Sequence, residues 1–238
     1  MSSVLIVLSA ARFWSQKDGS QHPTGFWAEE FVVPHRILTE AGVQITIATP
    51  GGRVPVPDEG SLSEASNGGD AAKVADFRAY LDQVQPVLDA PVRLEDVDPS
   101  GFDAVLIPGG HGPMQDLAVD PDLARLLTTV LPDQSKVVAS LCHGVAGFLP
   151  AGNSDGSWLF KGRKMTSFTD EEEGQAGLAE NAPWLLESRL RQAGAVFESG
   201  PAWGPFVVTD GNLITGQNPA SGELAAEELL KALSARAH

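Results

Sequence analysis

The sequence contains a single cysteine, Cys142, among its 238 residues. One cysteine excludes a disulfide within the chain, and the lack of disulfides is typical of a reducing compartment such as the cytoplasm. A chain of this length needs no cross-link, because it is long enough to bury the core of one α/β domain. We therefore expect a cytoplasmic protein whose lone cysteine is either a small buried hydrophobe or a reactive thiol.

Basic residues are scarce, with 16 Lys and Arg against 31 Asp and Glu and a formal net charge of −15. Such a surface repels phosphate backbones and anionic lipids. We therefore expect neither a nucleic-acid nor a membrane partner, and attribute the acidity to solubility. No apolar run approaches the roughly 20 residues that cross a bilayer. The apolar run at 4–8 lacks the basic flank of a signal peptide and is predicted to be a strand.

Sequence motifs for cofactors and metals are also missing. The segment Gly109-Gly110-His111-Gly112-Pro113 lacks the spacing of a dinucleotide-binding loop, and there is no P-loop. The histidines stand at 22, 35, 111, 143 and 238, so no two have the close spacing typical of metal ligands on one helix or strand. We predict no cofactor and no metal ion.

Short apolar runs alternate with helical patterns along the chain. Buried strands are predicted at 4–8, 43–48, 104–107 and 137–141, and helices at 26–41, 71–84, 122–131, 183–193 and 221–235. Shorter strands are predicted at 92–94, 164–168, 196–198, 206–209 and 212–215, the last two joined by a hairpin turn at Asp210-Gly211. The pattern predicts an α/β fold with a mostly parallel sheet, whose ligands bind beyond the carboxyl ends of the strands.

Two stretches lack this clear alternation. Residues 10–22 are predicted to be a loop. Residues 53–100 hold too few apolar residues to form a core of their own, so we interpret them as an insertion or lid within a single domain spanning 1–238.

Cys142 follows a predicted strand and precedes residues that can begin a helix. A nucleophile on such a turn is presented to substrate, and the helix dipole lowers the pKa of a thiol there. His143 is a natural proton partner, and its amide could join one from Gly109 or Gly110 in an oxyanion hole. The local sequence favours a reactive thiol and a packed cysteine equally.

Glu30 falls on the apolar side of the first predicted helix, next to Ile37, when the helix is stepped at about 100° per residue. A carboxyl group buried there must be paired or protonated. A second acidic feature, the run Asp170–Glu173, follows a predicted strand and could supply an acid that orients His143. The residues alone do not choose among these four acids, of which three are expected in solvent.

Several motifs occur in the order of a known family: Thr24–Pro34, Leu106–Pro113, Ser140–Gly144, Phe168–Asp170 and Asp210–Ser221. Together they resemble the PfpI/protein-deglycase family of the class I glutamine amidotransferase-like superfamily, in its glutathione-independent glyoxalase and heat-shock chaperone branch. The resemblance implies a flavodoxin-like three-layer α/β sandwich that usually forms a homodimer.

The resemblance also implies roles for residues. Cys142 is the nucleophile and His143 its partner, while registration on Phe-Thr-Asp gives Glu173 as the third member, with Glu172 as the alternative. Glu30 matches a protonated glutamate that contacts the thiol in relatives.

The implied oxyanion hole consists of the amides of Gly110 and His143. We expect substrate contacts from His111, Phe26 and Trp27.

The implied reaction is a cofactor-free conversion of a small 2-oxoaldehyde such as methylglyoxal to lactate, with deglycase or hydrolase side activity. Two other classes stay open. One is a stress chaperone or redox sensor without turnover. The other is a cysteine peptidase, amidase or hydratase of the same superfamily.

Overall fold

A seven-stranded sheet forms the centre of the computed structural model, which describes residues 2–236. The strands are β1 Ser3–Val7, β2 Phe13–Ser15, β3 Gln21–Pro23, β4 Gln44–Thr49, β5 Val92–Arg93, β6 Ala104–Ile107, β7 Val137–Leu141, β8 Lys164–Met165, β9 Val196–Phe197, β10 Val207–Asp210 and β11 Leu213–Gly216. The helices are α1 Ala28–Glu40, α2 Ala71–Leu88, α3 Gly112–Gln115, α4 Pro121–Val130, α5 Asp170–Gln175, α6 Leu186–Ala193 and α7 Gly222–Arg236.

The sheet has the order β10-β11-β7-β6-β1-β4-β5. All neighbouring pairs are parallel except β10 with β11, which form the predicted hairpin. Side chains of each strand alternate between two apolar layers, as the pleat requires. In β1, Val4 and Ile6 face α1, α2 and α7, whereas Leu5 and Val7 face α4 and α6. The predicted mostly parallel sheet with helices on both faces is therefore confirmed.

Local structure differs from the expectations in several places, of which three bear on the site. The predicted loop at 10–22 is instead mostly the β2–β3 hairpin, residues 13–23, which is anchored by buried Trp14. The acidic run begins the short helix α5, because Thr169 and Glu172 form a reciprocal capping box. Helix α6 begins at Leu186 and not at Pro183, since Leu185 is still extended.

The stretch 53–100 packs beside the main sheet. Its helix α2 lies against α1, and its strand β5 extends the sheet edge next to β4. The interpretation of this stretch as an insertion or lid stays a prediction. Within residues 2–236, no helix combines the length and apolar composition that a membrane span needs.

The central strands end side by side, and this brings their loops together. β1 leads into Ser9, β6 into the Gly109-Gly110 turn, and β7 into Cys142. The backbone after β7 passes close to the backbone after β6. A Cβ atom on Gly144 would lie 2.3 Å from the carbonyl oxygen of Ile107 and 2.8 Å from that of Pro108.

This close approach predicts that Gly144→Ala destabilises the protein. Neither carbonyl can move without disturbing a buried strand end, and overpacking typically lowers the free energy of unfolding by about 1–3 kcal/mol. Thermal unfolding measures the effect. The matched control is Gly101→Ala, because a Cβ atom there meets nothing within 4 Å. Equal melting temperatures for the two variants would contradict the close packing.

Candidate active site

Cys142 occupies a strained turn at the end of β7. Its φ is 54°, in the left-handed region that non-glycine residues avoid at a cost of roughly 1–2 kcal/mol. The residues that follow form a buried 3-10 segment, Cys142–Phe148, and not a longer α-helix. Cys142 is buried, with 3% of its surface exposed. Strain of this kind persists when the surrounding structure imposes it, and it is common at functional sites.

The surroundings of Cys142 favour the neutral thiol. Burial raises the pKa of Cys142 well above its ordinary value, the charge of Glu30 raises it further, and the amide of His143 lowers it only in part. The expectation that a helix dipole acidifies the thiol is therefore wrong, because burial and a carboxyl neighbour outweigh the short 3-10 segment. A proton acceptor must be at hand if the thiol is to react.

His143 provides that acceptor. Its Nδ1 lies 3.4 Å from Sγ of Cys142, and its Nε2 lies 2.6 Å from Oε2 of Glu173. Burial by itself raises the pKa of Glu173, but the charge of His143 and hydrogen bonds from two histidines hold it well below its ordinary value. Glu173 is thus a carboxylate that accepts from Nε2–H, and this leaves Nδ1 free to take the thiol proton.

His111 is the second histidine on Glu173. Its Nε2 lies 2.7 Å from Oε1, and its ring lies 4.0 Å from that of His143 between centroids. Burial lowers the pKa of His111, and the charge of His143 lowers it further. One potential metal-ligating atom from each of His111, His143 and Glu173 lies within 4.8 Å of the other two. A metal ion would have to displace both hydrogen bonds, so we retain the prediction of no metal.

Glu30 is a neighbour of the thiol and is fully buried, as the helical pattern predicts. Its Oε2 accepts from the amide of Gly109 at 2.7 Å, while Oε1 has no hydrogen-bond partner within residues 2–236. Burial raises the pKa of Glu30 to about 8, although the neighbouring Cys142 thiol and the amide of Gly109 oppose the shift. Near neutral pH the carboxyl is therefore mostly protonated.

Glycines permit this packing. A Cβ atom on Gly109 would lie 2.6 Å from Oε2 of Glu30 and 2.9 Å from Cβ of Cys142. Gly110 has a φ of 94°, and its amide makes no hydrogen bond within the described part of the chain. Gly110 and His143 both line the cavity above the thiol, and their assignment to an oxyanion hole stays a prediction.

The cavity above Cys142 has a volume of about 1290 Å³, and Trp27 and His111 are among the residues that line it. Residues from the stretch 53–100, between Val56 and Lys73, form part of the lining. Phe26 does not line it. Its side chain is fully buried and packs on Phe31, with ring centroids 5.3 Å apart, so the expected contact between Phe26 and substrate is corrected.

The acidic run supplies two buried carboxyl groups, Glu172 and Glu173, and not the single one expected. Glu173 contacts the histidines, whereas Glu172 caps α5 and accepts from the amide of Trp203 at 2.8 Å.

Sequence reasoning assigned no role to two aromatic residues of the cavity wall. Phe168 packs on the ring of His143 with centroids 4.5 Å apart, and Trp203 lies against Phe168. Phe168 belongs to a motif already noted, whereas Trp203 lies in a Gly/Pro-rich loop without periodic pattern.

Comparisons with known proteins agree with this architecture. The chain is 28% identical to glyoxalase 3 of Candida albicans over 242 residues, which cover 98% of each protein. It is 30% identical over 248 residues to the protein/nucleic acid deglycase HchA of Pseudomonas aeruginosa, covering 97% of this chain and 82% of that one. The crystal structure of glyoxalase III from Candida albicans superposes with a TM-score of 0.77 at 26% identity and covers 97% of each chain.

A model of the DJ-1/PfpI family matches residues 23–232. These residues include the strained cysteine turn, both glycines after β6, and all the titratable groups that surround the thiol. The chain therefore belongs to the DJ-1/PfpI family.

Proposed function

We propose that this protein is a cofactor-free glyoxalase that converts a 2-oxoaldehyde and water into a 2-hydroxy acid. The observation that carries the proposal is the pair of proton carriers next to one thiol. Nδ1 of His143, whose ring is oriented by Glu173, lies 3.4 Å from Sγ of Cys142, and the protonated carboxyl of Glu30 is close enough to raise the pKa of the thiol. The similarity to glyoxalase 3 supports the same reaction.

The first step forms a hemithioacetal. Nδ1 of His143 takes the thiol proton, and Sγ of Cys142 attacks the aldehyde carbon C1. The oxygen that becomes negative faces the amides of Gly110 and His143, which stabilise it. Glu30 then gives its proton to this oxygen, and the carboxylate that remains is positioned to act as a base.

The second step moves a proton between carbons. The Glu30 carboxylate removes the proton of C1 while imidazolium of His143 protonates the oxygen on C2, giving an enediol. Glu30 returns a proton to C2, and His143 takes the proton of the C1 hydroxyl, which leaves a thioester on Cys142. Proton carriers work best when their pKa lies near ambient pH, as that of Glu30 does at about 8.

Water completes the cycle. Its hydroxyl adds to C1, its proton returns to Glu30, and the departing sulfur regains a proton from His143. The 2-hydroxy acid is released, and all three residues recover their starting protonation states.

An amidase or peptidase would need the cysteine, the histidine and the oxyanion hole, but not a protonated carboxyl facing the thiol. The redox-sensor alternative is disfavoured because Cys142 is 3% exposed and its pKa is raised, whereas sensor thiols are exposed and acidic.

Removal of oxoaldehyde adducts from amines is a second candidate, favoured by the large cavity and by the similarity to the deglycase HchA. We further expect a homodimer in the cytoplasm, as the resemblance and the composition predict.

Replacement of either proton carrier or of the nucleophile should remove turnover. With methylglyoxal in a thiol-free and metal-free assay, Cys142→Ala should form no lactate above background. Glu30→Gln should lower kcat by roughly 10²-fold or more, because a positioned acid or base typically contributes 10²–10⁴-fold.

Glu40→Gln is the matched control, since Glu40 is an exposed carboxyl at the end of the same helix. It should retain wild-type activity. Unaltered lactate formation by Cys142→Ala or Glu30→Gln would falsify the proposed function.

The raised pKa of Glu30 also predicts a pH dependence of stability. Folding favours the neutral carboxyl of Glu30. Its contribution to the free energy of unfolding is therefore complete at pH values below the unfolded-state pKa and is lost as the pH rises through about 8. The melting temperature of the wild type should therefore fall between pH 5 and pH 9 by more than that of Glu30→Gln, whose amide stays neutral. Parallel pH profiles for the two proteins would show that Glu30 is not protonated in the fold.

A further inference from the structure

Glu172 is a buried carboxylate that takes no part in the reaction described above. Its Oε2 accepts from the amide and the hydroxyl of Thr169, both at 3.0 Å. Its Oε1 accepts from the amide of Trp203 at 2.8 Å, from Asn218 at 2.8 Å and from Gln217 at 3.1 Å. A buried carboxylate that has no cation beside it needs several hydrogen-bond donors. Because these donors come from three segments, Glu172 links the start of α5 to the Trp203 loop and to the segment after β11.

Trp203 is held in an unusual position by these contacts. Its φ is 63°, and it is, with Cys142, one of two non-glycine residues of positive φ in the described chain. Its indole Nε1–H donates to Oε1 of Gln175 at 2.6 Å. The ring meets Phe168 edge to face with centroids 5.5 Å apart, and Phe168 packs on His143. Backbone strain and two anchoring hydrogen bonds thus fix an indole that is still exposed.

The exposed indole of Trp203 forms part of the wall of the active-site cavity. Trp203 is 46% exposed and lines the same cavity as Cys142, together with Trp27 and Phe168. The cavity volume of about 1290 Å³ exceeds the range of roughly 300–1,000 Å³ that is usual for drug-sized ligands. A three-carbon oxoaldehyde would leave most of this space empty and the indole uncovered, whereas an aromatic substituent on C2 would cover it.

We propose that Trp203 is a specificity-determining residue that selects 2-oxoaldehydes with a planar aromatic substituent, and that Glu172 is the positioning residue that fixes it. The inference rests on the proposed glyoxalase function. It adds no chemistry, because phenylglyoxal and water give mandelate by the same steps and with the same residues as methylglyoxal and water give lactate.

The selectivity ratio tests this directly. It is kcat/KM for phenylglyoxal divided by kcat/KM for methylglyoxal. Trp203→Ala should lower the ratio about tenfold, a change that corresponds to 1.4 kcal/mol and to the usual strength of one aromatic contact. Trp203→Phe should keep most of the ratio, because it retains an aromatic ring. Val119→Ala is the control, since Val119 is exposed and does not line the cavity.

Equal losses for both substrates in Trp203→Ala would overturn the inference and leave the glyoxalase function standing. Product binding separates the two claims further. In calorimetry, mandelate should bind the wild type more tightly than it binds Trp203→Ala, whereas lactate should not distinguish them. If neither oxoaldehyde is turned over, the proposed function fails, and the aromatic site is then judged by mandelate binding alone. Equal mandelate affinities would overturn it.

Glu172→Ala tests the positioning role. The change removes both acceptor oxygens, so all five hydrogen bonds that Glu172 accepts from Thr169, the Trp203 loop and the segment after β11 are lost. The variant should reproduce the loss of selectivity seen in Trp203→Ala. A folded Glu172→Ala with the wild-type ratio would show that Trp203 is held by other contacts. If the variant does not fold, the ratio of the Trp203 variants decides the proposal.

Discussion

The burial of Glu30 against Cys142 is the constraint on which the rest of the site depends. Two ionisable groups that would each prefer water are enclosed together, so both are held neutral. This packing requires that the residue after β6 have no side chain, since a Cβ atom on Gly109 would overlap both of them. Because the thiol is held neutral, its reaction also requires a proton acceptor. His143 meets that need, and Glu173 fixes the imidazole so that Nδ1 faces sulfur.

The parallel sheet explains how residues distant in sequence form this arrangement. β6 and β7 are neighbours whose carboxyl ends coincide, so their loops deliver Gly109, Gly110 and Cys142 to one place. Helix α1 packs on the same sheet and brings Glu30 within reach. Aromatic side chains complete the site. A series of ring contacts from Trp14 through His111 and His143 to Phe168 keeps water from the imidazoles and limits their movement.

Much of the fold could be predicted from the sequence because buried parallel strands are local apolar runs, and 104–107 and 137–141 match β6 and β7 residue for residue. The inward direction of Glu30 also followed from helical periodicity. The raised pKa of Cys142 could not be predicted, because it depends on burial and on a carboxyl group far away in sequence. Nor could the residues alone separate Glu172 from Glu173, since adjacent acids differ only in which tertiary partners they meet. Trp203 was missed because a loop without a periodic pattern does not show which tertiary partners its side chains meet.

The central claim is that Glu30 acts on carbon after the thiol has added to substrate. The most direct measurement is rapid quenching of Glu30→Gln with methylglyoxal, followed by intact-protein and peptide mass spectrometry. We expect an increase equal to one methylglyoxal, located on Cys142, with lactate formation slowed by roughly 10²-fold or more. In this variant the imidazolium of His143 can return the thiol proton to the hemithioacetal oxygen, whereas the proton shift at carbon needs Glu30. An unmodified Cys142 in this variant would contradict it.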